Sequence, residues 1–170
     1  MLGRYELQYI QNLQISNPSV RADAARSLAA SCRNLSISLS EPLSIEQRRQ
    51  RNEMENALIQ TLRQERDSDV RCAIVDSLAD ERTPSALQAI ASVAHDPAVE
   101  VRYSVCHALY RCWEPQKRDE PDNVYIPKHI RIQELILSLY DRLKADPDPG
   151  VRMLAEEQYD NVEYQLNLSR

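Results

Sequence analysis

The chain has 170 residues, with two glycines, nine prolines, no phenylalanine, a net charge of -5 and an isoelectric point near 5.3. So little glycine leaves scant material for tight hairpins and argues for helices, while the acidic balance opposes non-specific nucleic-acid binding. No run of about 18 apolar residues occurs, and MLGRYELQYIQNLQIS at the N-terminus lacks an apolar core and a small-residue cleavage site, so a soluble cytoplasmic protein without a membrane span is expected.

In chain order, residues 4–15 place Tyr5, Tyr9, Ile10 and Leu13 on one face of an amphipathic helix. Asn17-Pro18-Ser19 stops it and caps a second helix over about 19–33, which turns Val20, Ala24, Ala25 and Leu28 inward. A loop is expected over 33–43. Helix three opens at Ser44, where Ser44 and Gln47 fit a capping box, and runs to about Glu65 with Met54, Ala57, Leu58 and Leu62 on its apolar side. Its start is rich in charge, and Arg48, Arg49 and Arg51 read as a solvated basic face that projects beyond the stack.

Asp67-Ser68-Asp69 turns the chain into helix four, with Val70, Ile74, Val75 and Leu78 facing in. Thr83-Pro84 opens helix five, striped by Leu87, Ile90, Ala91 and Ala94, and His95-Asp96-Pro97 leads to helix six with Val101, Val105, Cys106 and Leu109. A second long loop, 114–126, contains prolines that bar a helix. Helix seven, about 128–145, carries Ile132, Leu135, Ile136, Leu139 and Leu143. Helix eight follows Asp146-Pro147-Asp148-Pro149 with Val151, Ala155 and Tyr159. The two loops are expected to leave one edge together, the second offering Asp119, Glu120, Asp122 and Tyr125 as a partner-like rim.

Within this order one unit recurs. DSDVRCAIVDSLAD from Asp67 reappears as NPSVRADAARSLAA from Asn17, DPAVEVRYSVCHAL from Asp96 and DPDPGVRMLAEEQY from Asp146. The Val-Arg pairs beginning at Val20, Val70, Val101 and Val151 are spaced by 50, 31 and 50 residues, and a shift of 81 superposes the two halves. A helix-starting turn followed by a 3.6-residue stripe at such intervals marks a stacked helical array. The unit resembles the HEAT repeat, in particular the short form named after phycobilisome lyases, whose second helix follows D-x-x-V-R-x-x-A-x-x-A-L. The last copy departs from it at Glu156, Gln158 and Tyr159, as a terminal unit with a wet outer side would. The resemblance implies an all-α, right-handed solenoid of four hairpins and about eight helices, in units near 1–33, 44–81, 83–113 and 127–170.

It also implies how the regular charges are used. Arg21, Arg71, Arg102 and Arg152, with Asp67, Asp96 and Asp146, are assigned to a ladder that ties units together, the competing reading being a row of cations for an anionic ligand. The second helix of each hairpin would line the concave face. There the residues vary: two after each Val stand Ala22, Cys72, Tyr103 and Met153; six after, Arg26, Asp76, His107 and Glu157; nine after, Ala29, Ala79, Tyr110 and Asp160. Tyr103, His107, Tyr110 and Arg111, helped by Trp113 and Asp76, are therefore assigned to contact with a protein partner, since aromatic residues and Arg anchor interfaces. The competing reading packs the rings on helix eight or under the second loop.

Nothing in the sequence assembles a catalytic constellation around His107, and no catalytic residue is assigned. His95, His107 and His129 are too scattered for a metal site, and Cys32, Cys72, Cys106 and Cys112 show no ligand spacing, so reduced, partly buried thiols are expected and no cofactor. The function expected is a scaffold, adaptor or inhibitor that binds another protein. Two alternatives stand beside it: a bilin lyase or chromophore-handling subunit, implied by the resemblance, and a metallocluster assembly accessory using the cysteines.

Overall fold

Most of the helices whose start is described begin where the sequence supplies an acceptor for their unpaired N–H groups. In the computed structural model, which describes residues 2–37, 43–113 and 130–168, α1 (Arg4–Asn12) gives way to α2 (Pro18–Ile37), entered through Asn17, whose Oδ1 accepts the Ser19 N–H at 3.0 Å. The predicted capping box opens α3 (Ile45–Gln64): Ser44 Oγ accepts the Gln47 N–H at 3.2 Å while Gln47 Oε1 accepts the Ser44 N–H at 2.9 Å. Asp67 caps α4 (Ser68–Glu81) and Thr83 caps α5 (Pro84–Ser92), which has Pro84 in its first turn. Helices α6 (Val99–Trp113), α7 (Ile130–Leu143) and α8 (Pro149–Leu168) complete the described order, the last entered through Asp148, whose Oδ1 accepts the N–H groups of Gly150 and Val151.

The helices form two layers. Each of α2, α4, α6 and α8 packs on the next, and the other helices lie behind them, with α3 touching both α1 and α5. This is an all-α solenoid, and its stripe residues fill the space between layers: Leu28, Leu58, Ile74, Leu78, Ile90, Val105, Leu109, Ile136 and Val151 are fully buried. Tyr140 is buried with them and donates its phenolic O–H to the Cys106 carbonyl at 2.9 Å, which satisfies the polar end of a large apolar group.

Two expectations for these elements change, and part of the loop expectations falls outside the described residues. Helix α2 continues four residues past the predicted end at 33, with Leu35 packed against the core, and residues 38–42 of the first predicted loop lie outside the described ones. The second loop, 114–126, and its acidic rim also lie outside them. Tyr5 is 74% exposed, because among the described residues α1 packs on α2 and part of α3, which suffices to cover Leu13, Tyr9 and Ile10 but not Tyr5.

Arg51 is no part of a solvated basic face. Its Nε donates to Glu81 Oε2 at 2.7 Å and its Nη2 to the Glu81 carbonyl at 2.7 Å, pairing a carboxylate that is 2% exposed. A buried carboxylate without such a partner is costly, so the position is structural. Arg48 and Arg49 stay exposed, as does Ile45.

Candidate functional site

The ladder is built from one guanidinium conformation used repeatedly. Arg71 donates from Nε and Nη2 to the two oxygens of Asp96, each at 2.7 Å, while Nη1 reaches back to the carbonyls of Arg66 and Glu65 in its own entry turn. Arg102 repeats this on Asp146 at 2.7 and 2.9 Å, with Nη1 on the carbonyls of Asp96 and Pro97. Arg21 repeats it on Glu65 at 2.7 and 2.8 Å, with Nη1 on the carbonyls of Ile15 and Ser16. Such forks fix geometry as well as charge, so each one sets the register between adjacent units.

Asp67 is not a rung. Its carboxylate accepts the N–H groups of Asp69 and Val70 as the α4 cap, and Glu65, five residues before Val70, holds the position that Asp96 and Asp146 hold before Val101 and Val151. Arg152 keeps the inner half of the pattern, with Nη1 on the carbonyls of Asp146 and Pro147, but no carboxylate meets its Nε and Nη2 among the described residues.

Positions along the second helices divide by direction. The residue two after each Val faces the following unit: Ala22 is buried, Cys72 meets Ser104 of α6, and Tyr103 is half-buried against α8. A Cβ added at Gly150 would lie 1.6 Å from the Tyr103 hydroxyl, and that hydroxyl lies 3.5 Å from Asp148 Oδ1. Tyr103 therefore packs on helix eight and belongs to the seam between units. Tyr110 and Trp113 are also half-buried against the core.

The residue six after each Val faces outward. Arg26, Asp76, His107 and Glu157 are all exposed, in a row across α2, α4, α6 and α8. Crowding on this surface raises the Asp76 carboxyl above its usual range, against the pull of Arg111, His107 and Arg26. Arg111 Nη1 stands 3.9 Å from Asp76 Oδ1, and its Nη2 bonds Asp80, which also receives Arg33. Arg33, Asp80 and Arg111 thus tie α2, α4 and α6 together beside the row. Asp80 and Arg33 escaped the sequence reading; the signal was the residue ten after each Val, where adjacent units carry the opposite charges Asp80 and Arg111.

The thiols do not gather. Cys32, Cys106 and Cys112 are buried and Cys72 half-buried, none of them in a disulfide, and no group of three His, Cys, Asp or Glu side chains among the described residues could hold a metal. Burial pushes the Cys112 thiol up to about 11 and that of Cys106 to about 12, so neither supplies a thiolate near neutrality.

A two-layer helical array joined by repeating Arg–carboxylate forks defines a helical-repeat protein. The model of the HEAT repeats family matches residues 55–123, a stretch that takes in the second half of α3 and all of α4, α5 and α6. No curated protein matches the sequence. A solved structure described as an engineered protein aligns over 96% of this chain and 98% of its own at 13% identity and a TM-score of 0.32, too loose a likeness to add to the fold. No helix among the described residues is long and apolar enough to cross a membrane.

Proposed function

We propose that this chain is a non-enzymatic protein-binding module, a scaffold, adaptor or inhibitor, that presents the concave outer face of its second-helix layer. HEAT arrays commonly serve as protein-interaction scaffolds. The observation that carries the reading is the row Arg26, Asp76, His107 and Glu157. The ladder and core repeat from unit to unit, whereas this exposed position changes its chemistry at every step. Variation at an exposed position of a rigid scaffold is how such a surface acquires a specific partner.

The contact surface centres on Asp76 and His107, with Tyr110, Arg111 and Trp113 on its border. Tyr103 contributes by holding α8 in place. A tagged chain should retain a partner from its native host that His107→Ala combined with Asp76→Ala fails to retain, with the urea midpoint unchanged. Equal recovery by the double variant would remove the surface from consideration.

A further inference from the structure

We infer that the outward face of α8 docks a helix of another protein, one that begins with a carboxylate and carries basic side chains along its contact face. The inference rests on reading the chain as a protein-binding module, but it concerns a different surface from the row through Asp76 and His107. It starts from Arg152. In Arg21, Arg71 and Arg102, Nη1 on two carbonyls of the same turn holds the guanidinium so that Nε and Nη2 receive a carboxylate from the following unit. Arg152 is held by the same two carbonyl contacts, at 2.7 and 3.0 Å, with the outer edge of its fork unfilled among the described residues. Beside it Met153 is 67% exposed, although the corresponding Ala22, Cys72 and Tyr103 are each covered by a neighbouring helix.

The filled steps say what fits the fork. Glu65, Asp96 and Asp146 all lie in the turn that starts a helix, and each also accepts N–H groups of its own turn. A docking carboxylate in that setting is positioned by its own backbone before it meets the arginine, which lowers the ordering cost of binding. An apolar residue on the same helix would cover Met153.

The rest of the face sets the sign of the partner. Where the preceding units bury Ala25, Val75 and Cys106, α8 exposes Glu156; where they place Ala29, Ala79 and Tyr110, it exposes Asp160. Neither acid forms an ion pair among the described residues. A further apolar repeat would bury both carboxylates unpaired, which is unfavourable, so the complementary helix carries Lys or Arg there. A second copy of this chain does not meet these terms. The position five before Val20 is Ile15 rather than an acid, and two α8 faces brought together would oppose Glu156 and Asp160 with themselves.

The test uses a synthetic labelled peptide that starts Asp-Pro, places Leu toward Met153 and Lys toward Glu156 and Asp160, and is read by fluorescence anisotropy at low salt. Wild-type protein should bind it about tenfold more tightly than the version with Asn for its leading Asp, the loss of a charge-assisted fork. Replacing its Lys residues by Glu should abolish binding. Because these changes are in the peptide, a folding defect of the protein cannot account for them. Glu156→Lys with Asp160→Lys should also abolish binding, and Asp76→Ala with His107→Ala should leave it unchanged. Binding indifferent to the leading Asp, or equal to the charge-reversed protein, would overturn the inference. So would dimers in sedimentation that Arg152→Lys disperses, since a second copy would then be the occupant.

Discussion

Arg71 and Arg152 share a place in the repeat and differ in what they hold, which separates the worth of the fork from that of the turn. Arg71 and Asp96 are both buried, and removing one partner of such a pair leaves an uncompensated charge costing about 3 kcal/mol or more. Arg71→Ala should lower the unfolding free energy in urea by about that amount, and Arg152→Ala by about 1 kcal/mol or less, since only carbonyl contacts are lost. Equal losses would show that the turn, and not the joint between units, is what these arginines support. The same carboxylates give the array a response to acid. Burial alone would raise the Glu65 and Asp146 carboxyls, but the hydrogen bonds from Arg21 and Arg102, together with backbone N–H groups, outweigh it and hold both below their ordinary values. Across this window the unfolded chain binds more protons than the folded one. The stability from these rungs is therefore complete above about pH 5 and lost as pH falls through the lowered native values. The urea midpoint should fall below about pH 4, and Asp146→Asn should make that fall shallower while lowering the neutral plateau; an unchanged slope would refute the assignment.

At the scale of helices, the seam between α6 and α8 turns on one close approach. Gly150 lies in the first turn of α8, where alanine would ordinarily improve helix propensity by up to about 1 kcal/mol. Here the added Cβ meets the Tyr103 hydroxyl and must displace the ring. Gly150→Ala should therefore destabilise the wild type and stabilise a Tyr103→Ala background, a reversal of sign read from a double-mutant cycle in urea. The same seam explains what was legible in the sequence. The 3.6-residue stripe was enough to place Val70, Ile74, Val75 and Leu78 inside, because burial between two layers depends on the helix alone. It could not place Tyr103, whose position between the outer face and the next unit depends on where α8 comes to rest. Nor could it choose between Glu65 and Asp67, two acids two residues apart, since only the stacking register brings one of them to Arg21. The end of α2 was missed for a related reason: RNLSI has little periodic apolar content, and Leu35 extends the helix by packing on the core.

The array as a whole is a chain of nearest-neighbour seams, so its stability should vary along its length. Helix α4 packs on both α2 and α6, and most of its side chains are buried, including Arg71, Ser77 and Glu81. Helix α1 has no fully buried side chain, and among the described residues α8 has a neighbour of its own layer on one side alone, with Glu156, Glu157, Asp160 and Tyr164 exposed. An element with fewer buried contacts opens at lower free energy, and its amides exchange through that local opening instead of through global unfolding. Hydrogen exchange at neutral pH should leave the amides of α4 and the first three turns of α6 the slowest, with α1 and the latter part of α8 at least tenfold faster. Loosening the last seam with Tyr103→Ala should speed α8 and leave α4 unchanged, because among the described residues α8 packs on α6 and α7 and not on α4. If α4 accelerates in step with α8, the array opens as one cooperative body, and the seams do not act as independent joints.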